Sequence, residues 1–335
     1  LEPVNSNGVF HPKVWLLRFT AEDEECPPVY RCLCLSRNLT EDRSWDTTMV
    51  LEGELTDRTN AYARNHPLGN FIASLPGLAT APVSDDIREH VGLMENEVRR
   101  VDFEVPDPFR DENADDLAFG PSGLDGVSDG GPDPSGCNRQ LVISPFLSDS
   151  QARKLVEHGE ENVLISRAEA LEDLSDETYA LLDEDDTEIF VLDDGAENPD
   201  RVTGNDRGQQ GTRTEDAKEE EGEAEEKDVE KAARRFSGLH AKLYLIEHDT
   251  YDTWMWTGSA NATFAAHAGR NVEFMVGLRG WRREMGVDEL LGDEENAEEK
   301  DVNCLRDLLR RYVRTESSDE TNAQREVESR LERVR

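Results

Sequence analysis

Lysine is the scarcest charged residue in this chain. Only seven of 335 residues are lysine, whereas 75 residues are acidic and the formal net charge is −38. An acidic, lysine-poor surface suits a protein that works in molar salt, where repulsion between like charges is screened. We therefore expect a halophilic protein, in which any site for a polyanion is a local basic cleft rather than a broad basic surface.

Paired cysteines and long apolar runs are also missing. The five cysteines are odd in number and follow neither a CxxC nor a zinc spacing, which predicts free thiols. No apolar stretch approaches the ~18 residues of a membrane span, and no signal peptide precedes the first motif described below. These features predict a cytoplasmic protein without a membrane partner.

One chemical pattern occurs twice. A His-x-Lys triplet is followed by a strand-like apolar run, and a Ser-x-Asn triplet comes at the end of the next such run. Because two such sets would bring paired imidazoles, ammoniums and amides to one place, the repeat indicates an active site built by duplication. The first set is His11, Lys13, Ser36 and Asn38, and the second is His240, Lys242, Ser259 and Asn261.

These motifs resemble those of the phospholipase D superfamily, over about residues 8–52 and 139–280. The second copy is close to the family pattern, with Glu247 where the family usually has Asp. The first copy departs from it, with Arg18 at that place and Leu35 instead of the glycine before the serine. The segment around Ser36 is most similar to the nuclease-type members.

The resemblance implies a metal-independent phosphodiesterase without a cofactor. The two lysines would neutralise a phosphodiester, and the motif serines and asparagines would donate hydrogen bonds to its oxygens. One histidine would attack phosphorus to give a phosphohistidine, while the other would protonate the leaving oxygen and then activate water. By resemblance, His11 is the nucleophile and His240 the acid and base.

A nucleophilic histidine needs an acceptor for its second ring nitrogen. Glu273, at the start of the strand-like run after the second motif, fits this need, and Asp46 holds the matching place in the first half. Whether each carboxylate serves its own half or the opposite one is left open by the sequence. Arg37 and Arg43 are candidates for binding nucleic acid.

Strands alternating with helices predict an α/β protein of two pseudo-equivalent phospholipase D-like lobes. We expect mixed, mostly parallel sheets flanked by helices, with the active site between the lobes. The first lobe lacks the strand–helix preamble of the second, so we expect it to be incomplete and the chain to be truncated at its N-terminus. The predicted divisions are a partial first lobe at 1–105, a flexible linker at 106–137, a second lobe at 138–284 with a disordered acidic insertion at 195–233, and a charged helical segment at 285–335.

The predicted function is a DNA nuclease in defence or repair, with nucleic acid, and possible helicase or defence-system proteins, as partners. Two alternatives are left open. One is a phospholipid phosphatidyltransferase or phospholipase, which is less favoured because no lysine-rich amphipathic face is visible. The other is a nucleic-acid-binding subunit that does not turn over.

Overall fold

The computed structural model describes residues 1–22, 26–39, 43–110, 116–193, 196, 237–292 and 304–314. The strands are β1 (Val14–Phe19), β2 (Val29–Leu35), β3 (Arg43–Trp45), β4 (Thr48–Leu55), β5 (Val101–Phe103), β6 (Leu117–Ser122), β7 (Arg139–Ile143), β8 (Glu161–Ile165), β9 (Glu188–Leu192), β10 (Ser237–Leu239), β11 (Leu243–Glu247), β12 (Asp252–Gly258), β13 (Glu273–Trp281) and β14 (Leu309–Arg311). The α-helices are α1 (His66–Ser74), α2 (Asp85–Val98), α3 (Asp149–His158), α4 (Ala168–Glu172), α5 (Asp176–Glu184), α6 (Phe264–His267), α7 (Arg282–Met285) and α8 (Val287–Leu291).

The first motif lies on a four-stranded antiparallel sheet of order β1-β2-β4-β5. Along β4, buried and exposed residues alternate strictly, because successive side chains point to opposite faces of a strand. The helices α1 and α2 contribute to the hydrophobic core on the buried face. Ser84 caps α2 by accepting a hydrogen bond from Ile87 N at 3.4 Å, and two acidic residues occupy the first turn.

The second motif lies in an eight-stranded mixed sheet of order β14-β9-β8-β7-β11-β12-β13-β6. The prediction of an α/β fold with mixed sheets flanked by helices is confirmed. The prediction that the sheets are mostly parallel is wrong, since only β7-β8 and β8-β9 pair in parallel among the described strands of this sheet. The motif strands β11 and β12 are joined by a short turn, which favours antiparallel pairing, whereas the connection from β12 to β13 contains α6.

The two motif-bearing sheets share one hydrophobic core. The ring of Phe274 on β13 lies 4.7 Å from that of Phe71 on α1 and 6.3 Å from that of Phe119 on β6. A parallel pair of short strands, β3 and β10, joins the halves a second time. The halves are therefore packed into one body rather than connected only by the chain.

Gly258, immediately before the second motif serine, marks the closest approach of the two sheets. Its φ of +152° is one that residues with a side chain rarely adopt. A Cβ atom there would lie 2.3 Å from the carbonyl oxygen of Phe274 and 3.1 Å from Cys34 Sγ on β2. The second copy therefore needs glycine at this place, which is occupied by Leu35 in the first copy.

Three of the predicted segments need correction or fall outside the description. The linker at 106–137 is wrong in its middle, because β6 pairs there with β13 and its Leu117 and Phe119 are buried in the core. The helical segment at 285–335 is only partly right, since β14 pairs with β9. The insertion at 195–233 lies, apart from Ala196, outside the described residues, as does all of 315–335.

The helices α1, which is followed by a 3-10 turn, and α2 lie between the two motifs. The strand–helix preamble predicted for the second half is confirmed. The buried strand before the second motif, its following helix and the next two strands are β7, α3, β8 and β9. Among the described residues, no helix has the length and hydropathy needed to cross a membrane.

Candidate active site

Each motif histidine is positioned by the opposite half of the protein. The backbone N–H of His11 donates to the carbonyl oxygen of Val272 at 3.0 Å, next to a bridge between Phe10 and Val272. The backbone N–H of His240 donates to the carbonyl oxygen of Trp45 at 2.9 Å, where β10 pairs with β3. The fold thus brings the two motifs together by main-chain pairing.

The side chain of His11 is held by Glu273. Its Nδ1 lies 2.9 Å from Glu273 Oε2, and the glutamate is almost fully buried while the imidazole is partly exposed. Asn271 Nδ2 donates to the other carboxylate oxygen at 3.1 Å. Because a carboxylate can only accept, the Nδ1 of His11 carries the proton and its Nε2 presents a lone pair.

The side chain of His240 is held differently. Its Nδ1 lies 3.1 Å from the Nζ of Lys242, whereas the nearest oxygen of Asp46 is 3.9 Å away, beyond hydrogen-bond distance. An ammonium can only donate, so Nδ1 accepts from it and the ring proton of a neutral imidazole lies on Nε2. The carboxylates are therefore crossed: Glu273 contacts the histidine of the first motif, and Asp46 lies near that of the second.

Both motif lysines are buried beneath the histidines. Lys13 donates to the carbonyl oxygen of His11 at 2.6 Å. Lys242 is fully buried and donates at 3.0 Å to the carbonyl oxygens of both His240 and Ser36, again joining the halves. The ammoniums are thus fixed by carbonyl oxygens.

Burial is the main cause of the lowered pKa values of the two motif lysines. Desolvation lowers the pKa of Lys13 to about 8, against the opposing attraction of Glu273. Desolvation, reinforced by the charge of Lys13, lowers the pKa of Lys242 to about 7. Burial first, then Lys242 and then Arg167, lower the pKa of His240 to about 3. The site therefore disfavours the charged forms of these side chains. A bound phosphodiester anion would stabilise the charged forms.

The motif serines differ from the expectation that they face the phosphate. Both are fully buried. Ser259 Oγ donates to Glu273 Oε2 at 2.5 Å and accepts from the backbone N–H of Phe274 at 3.0 Å. Ser36 Oγ accepts from Thr47 N at 2.9 Å and lies 3.4 Å from Asp46. Each serine orients the carboxylate of its own half.

The remaining predicted residues are Asn38, Asn261, Arg37 and Arg43. Asn38 is exposed, and the side-chain oxygen of Asn261 is buried without a hydrogen-bond partner among the described residues. Arg37 forms an ion pair with Asp46, with Nε and Oδ2 2.7 Å apart. The backbone of Arg43 begins β3, but its side chain lies outside the described residues.

Arg167 was missed by the sequence analysis. It is the second residue after β8, and its Nε donates at 2.7 Å to the carbonyl oxygen of Leu239, the residue before His240. Its guanidinium carbon lies 5.5 Å from the ring centre of the exposed Phe146, which follows β7. The available signal was an arginine at the carboxyl end of a buried parallel strand, where ligand sites collect.

Tyr244 and His267 support the turn that carries Asn261. The hydroxyl of Tyr244 donates to the carbonyl oxygen of Ala260 at 3.2 Å and lies 3.0 Å from His267 Nε2. Burial lowers the pKa of His267 to about 4, so this imidazole is neutral near pH 7. His267 is therefore a structural partner of the turn rather than a second charged group.

Comparison with known proteins gave matches among solved structures only. No family model and no curated protein matches the chain. Among solved structures, the crystal structure of yeast tyrosyl-DNA phosphodiesterase is similar at 12% sequence identity and a TM-score of 0.45, covering 85% of this chain and 70% of that one. A likeness at this level describes the general shape of the chain alone.

Among the described residues, no three histidine, cysteine, aspartate or glutamate side chains are grouped so that they could hold a metal ion. The cluster around the two motifs instead combines two imidazoles with two buried ammoniums. Such a set can neutralise a phosphodiester and supply both a nucleophile and a proton.

Proposed function

We propose that this protein is a metal-independent phosphodiesterase that cleaves DNA through a covalent phosphohistidine. The observation that carries the proposal is the different binding of the two imidazoles, His11 by a buried carboxylate and His240 by a buried ammonium. This difference leaves a lone pair on one Nε2 and a proton on the other. A double displacement at phosphorus needs that complementary pair.

In the first step, Nε2 of His11 attacks phosphorus and the bond from phosphorus to the leaving oxygen breaks. The leaving oxygen takes the Nε2 proton of His240, while the Nδ1 of the same ring takes a proton from Lys242, 3.1 Å away. Glu273 stabilises the positive charge that forms on His11. The pKa of Lys242, lowered by burial to about 7, makes this lysine an effective proton donor near neutral pH.

In the second step, water attacks the phosphohistidine and loses a proton to Nε2 of His240. The Nδ1 proton returns to Lys242, and the bond between phosphorus and His11 breaks. Lys13 stays charged beside the phosphoryl oxygens, and the exposed Asn38 donates to them. The enzyme returns to its starting protonation state.

DNA is the proposed substrate because the motif segment around Ser36 resembles nuclease-type members of the superfamily. The arginines next to the motif histidines favour the same class of substrate. Arg37 follows that serine, and Arg167 contacts the residue before His240. Guanidinium groups at these places can bind successive phosphates of one strand.

The test is cleavage of plasmid and oligonucleotide DNA in molar KCl with excess EDTA. Wild type and the His90→Ala variant should cleave equally, because His90 is an exposed side chain on α2. His11→Ala and His240→Ala should each lose at least about 10²-fold in rate. Cleavage that requires Mg²⁺, or that survives His11→Ala, contradicts the proposal.

The same preparations distinguish the two alternatives. Turnover of phosphatidylglycerol vesicles without DNA cleavage would establish the lipid enzyme. DNA binding without turnover of either substrate would establish the binding subunit.

A further inference from the structure

Phe146 is an exposed aromatic residue at the rim of the proposed active site. It follows β7 and is 48% exposed, although large apolar side chains at strand ends are usually covered. The next residue, Leu147, forms a bridge with Ala262, which directly follows the motif residue Asn261. The backbone next to Phe146 is therefore fixed beside the second Ser-x-Asn turn.

Arg167 connects Phe146 to the proposed proton donor. Its guanidinium lies 5.5 Å from the ring centre while its Nε holds the carbonyl oxygen of Leu239, next to His240. Arginine held near an aromatic ring in this way leaves ring surface open to a further planar group.

Trp45 is a second exposed aromatic residue in contact with the segment that carries His240. It is 45% exposed, and its carbonyl oxygen accepts the backbone N–H of His240. Its indole N–H donates to the carbonyl oxygen of Ala196 at 2.9 Å, which fixes the ring. Phe146, through Arg167, and Trp45, through its carbonyl oxygen, are thus both connected to the segment that carries His240.

The charge of the protein makes such rings useful. At low salt a surface with a net charge of −38 repels a polyanion, and in molar salt both this repulsion and the attraction between phosphates and basic side chains are screened. Stacking of a base on an aromatic ring does not depend on released counterions. A nucleic-acid site on this protein therefore gains most from contacts with bases.

We infer that Phe146 and Trp45 form a base-stacking platform, and that the substrate is an unpaired strand of DNA. Bases inside a duplex are stacked on their neighbours and offer no free face to these rings. The platform places an unpaired base beside His240, on the leaving-group side of the phosphorus. This inference gives the proposed phosphodiesterase its substrate class.

The experiment measures binding separately from cleavage. A short fluorescent DNA strand is titrated with the full chain carrying His11→Ala, which lacks the proposed nucleophile, and anisotropy gives Kd. Adding Phe146→Ala should raise Kd about tenfold, and Phe146→Trp should restore it. The ratio of Kd with Phe146→Ala to Kd without it should be the same at moderate and at molar KCl. Tyr251→Ala is the matched control, because Tyr251 is 70% exposed in the turn at the far end of β11 and β12.

Two further ligands make the result specific. A duplex of the same sequence should bind more weakly than the single strand, and an abasic strand should bind the Phe146→Ala variant and its parent equally. If Phe146→Ala leaves Kd unchanged, or weakens the duplex and the abasic strand as much as the intact strand, the platform is contradicted. Platform-dependent binding in a protein whose wild type cuts no DNA would contradict the proposed function while leaving the platform standing.

Discussion

The two copies of the motif occupy equivalent places in the fold but have different surroundings. His11 has a carboxylate oxygen 2.9 Å from Nδ1, whereas His240 has an ammonium at 3.1 Å and a carboxylate oxygen only at 3.9 Å. Lys13 donates to the carbonyl oxygen of His11, whereas the more deeply buried Lys242 donates to two carbonyl oxygens and also contacts a ring nitrogen. The comparison teaches that a duplicated motif can supply two opposite roles.

The largest expected difference is between the carboxylates. Glu273→Gln should lower kcat on the order of 10³-fold, because an amide cannot stabilise the charge on His11 or fix its Nδ1 proton as a carboxylate does. Asp46→Asn should cost about tenfold or less, since its oxygen lies beyond hydrogen-bond distance from His240. The measurement is kcat for both variants on one single-stranded substrate. Equal losses would show that the two histidines are held equivalently.

The lysines should differ when each is replaced by arginine. Rising pH through about 7 to 8 deprotonates Lys242 and then Lys13 in the free enzyme, so kcat/KM should fall over this range. The fall in kcat should occur at a higher pH than the fall in kcat/KM, because a bound phosphodiester anion stabilises both ammoniums. Lys13→Arg should keep activity within about tenfold, whereas Lys242→Arg should lose on the order of 10²-fold, because arginine stays charged and delivers no proton.

The pH profiles and a stability scan check this assignment. Because folded-state pKa values of Lys13 and Lys242 lie below that of free lysine, the unfolded chain binds more protons between about pH 7 and 10. Burial raises the pKa values of the Cys32, Cys34 and Cys137 thiols, which lowers the free energy of unfolding once unfolded thiols ionise above about pH 8. The rise with pH that the lysines cause should therefore be measured between about pH 7 and 8. Chemical denaturation at several pH values measures it, and a flat or falling profile would contradict the buried, easily titrated lysines.

The smallest contrast is between the motif serines. Ser259→Ala removes a donor to Glu273 and an acceptor for Phe274 N–H, which should cost about 1–3 kcal/mol in stability and lower kcat through a misplaced Glu273. Ser36→Ala should lower kcat less, because Asp46 does not hold its histidine closely. Thermal unfolding and kcat on the same preparations test this. A larger kcat loss for Ser36→Ala would reverse the roles given to the two halves.

Local patterns predicted much of the fold. The strand-like runs after His11 and His240 and the helices α1, α2 and α3 follow from apolar periodicity and from capping residues such as Ser84. The strand β6 was missed because its Gly and Pro residues suggest a loop. Gly120 is required there by packing, since a Cβ would lie 3.0 Å from the Trp256 ring.

The motif histidines, lysines and serines lie together with Glu273 and Asp46 in the fold, but their pairing could not be derived from spacing. Which half supplies the carboxylate of each histidine depends on how β3 pairs with β10 and on how residue 10 pairs with residue 272, contacts far apart in the chain. Arg167 was missed for the same reason. It reaches the carbonyl oxygen of Leu239 only because the sheet brings the end of β8 to β10.

The most direct measurement is the position of the covalent intermediate. A DNA strand is mixed with the enzyme, the reaction is stopped within one turnover in alkaline denaturant, and the phosphorylated peptide is sequenced by mass spectrometry. We predict a phosphoryl adduct on His11, more of it in His240→Ala with a good leaving group, and none in His11→Ala. An adduct on His240, in a protein whose His11→Ala variant still forms it, would contradict the assignment of the two halves.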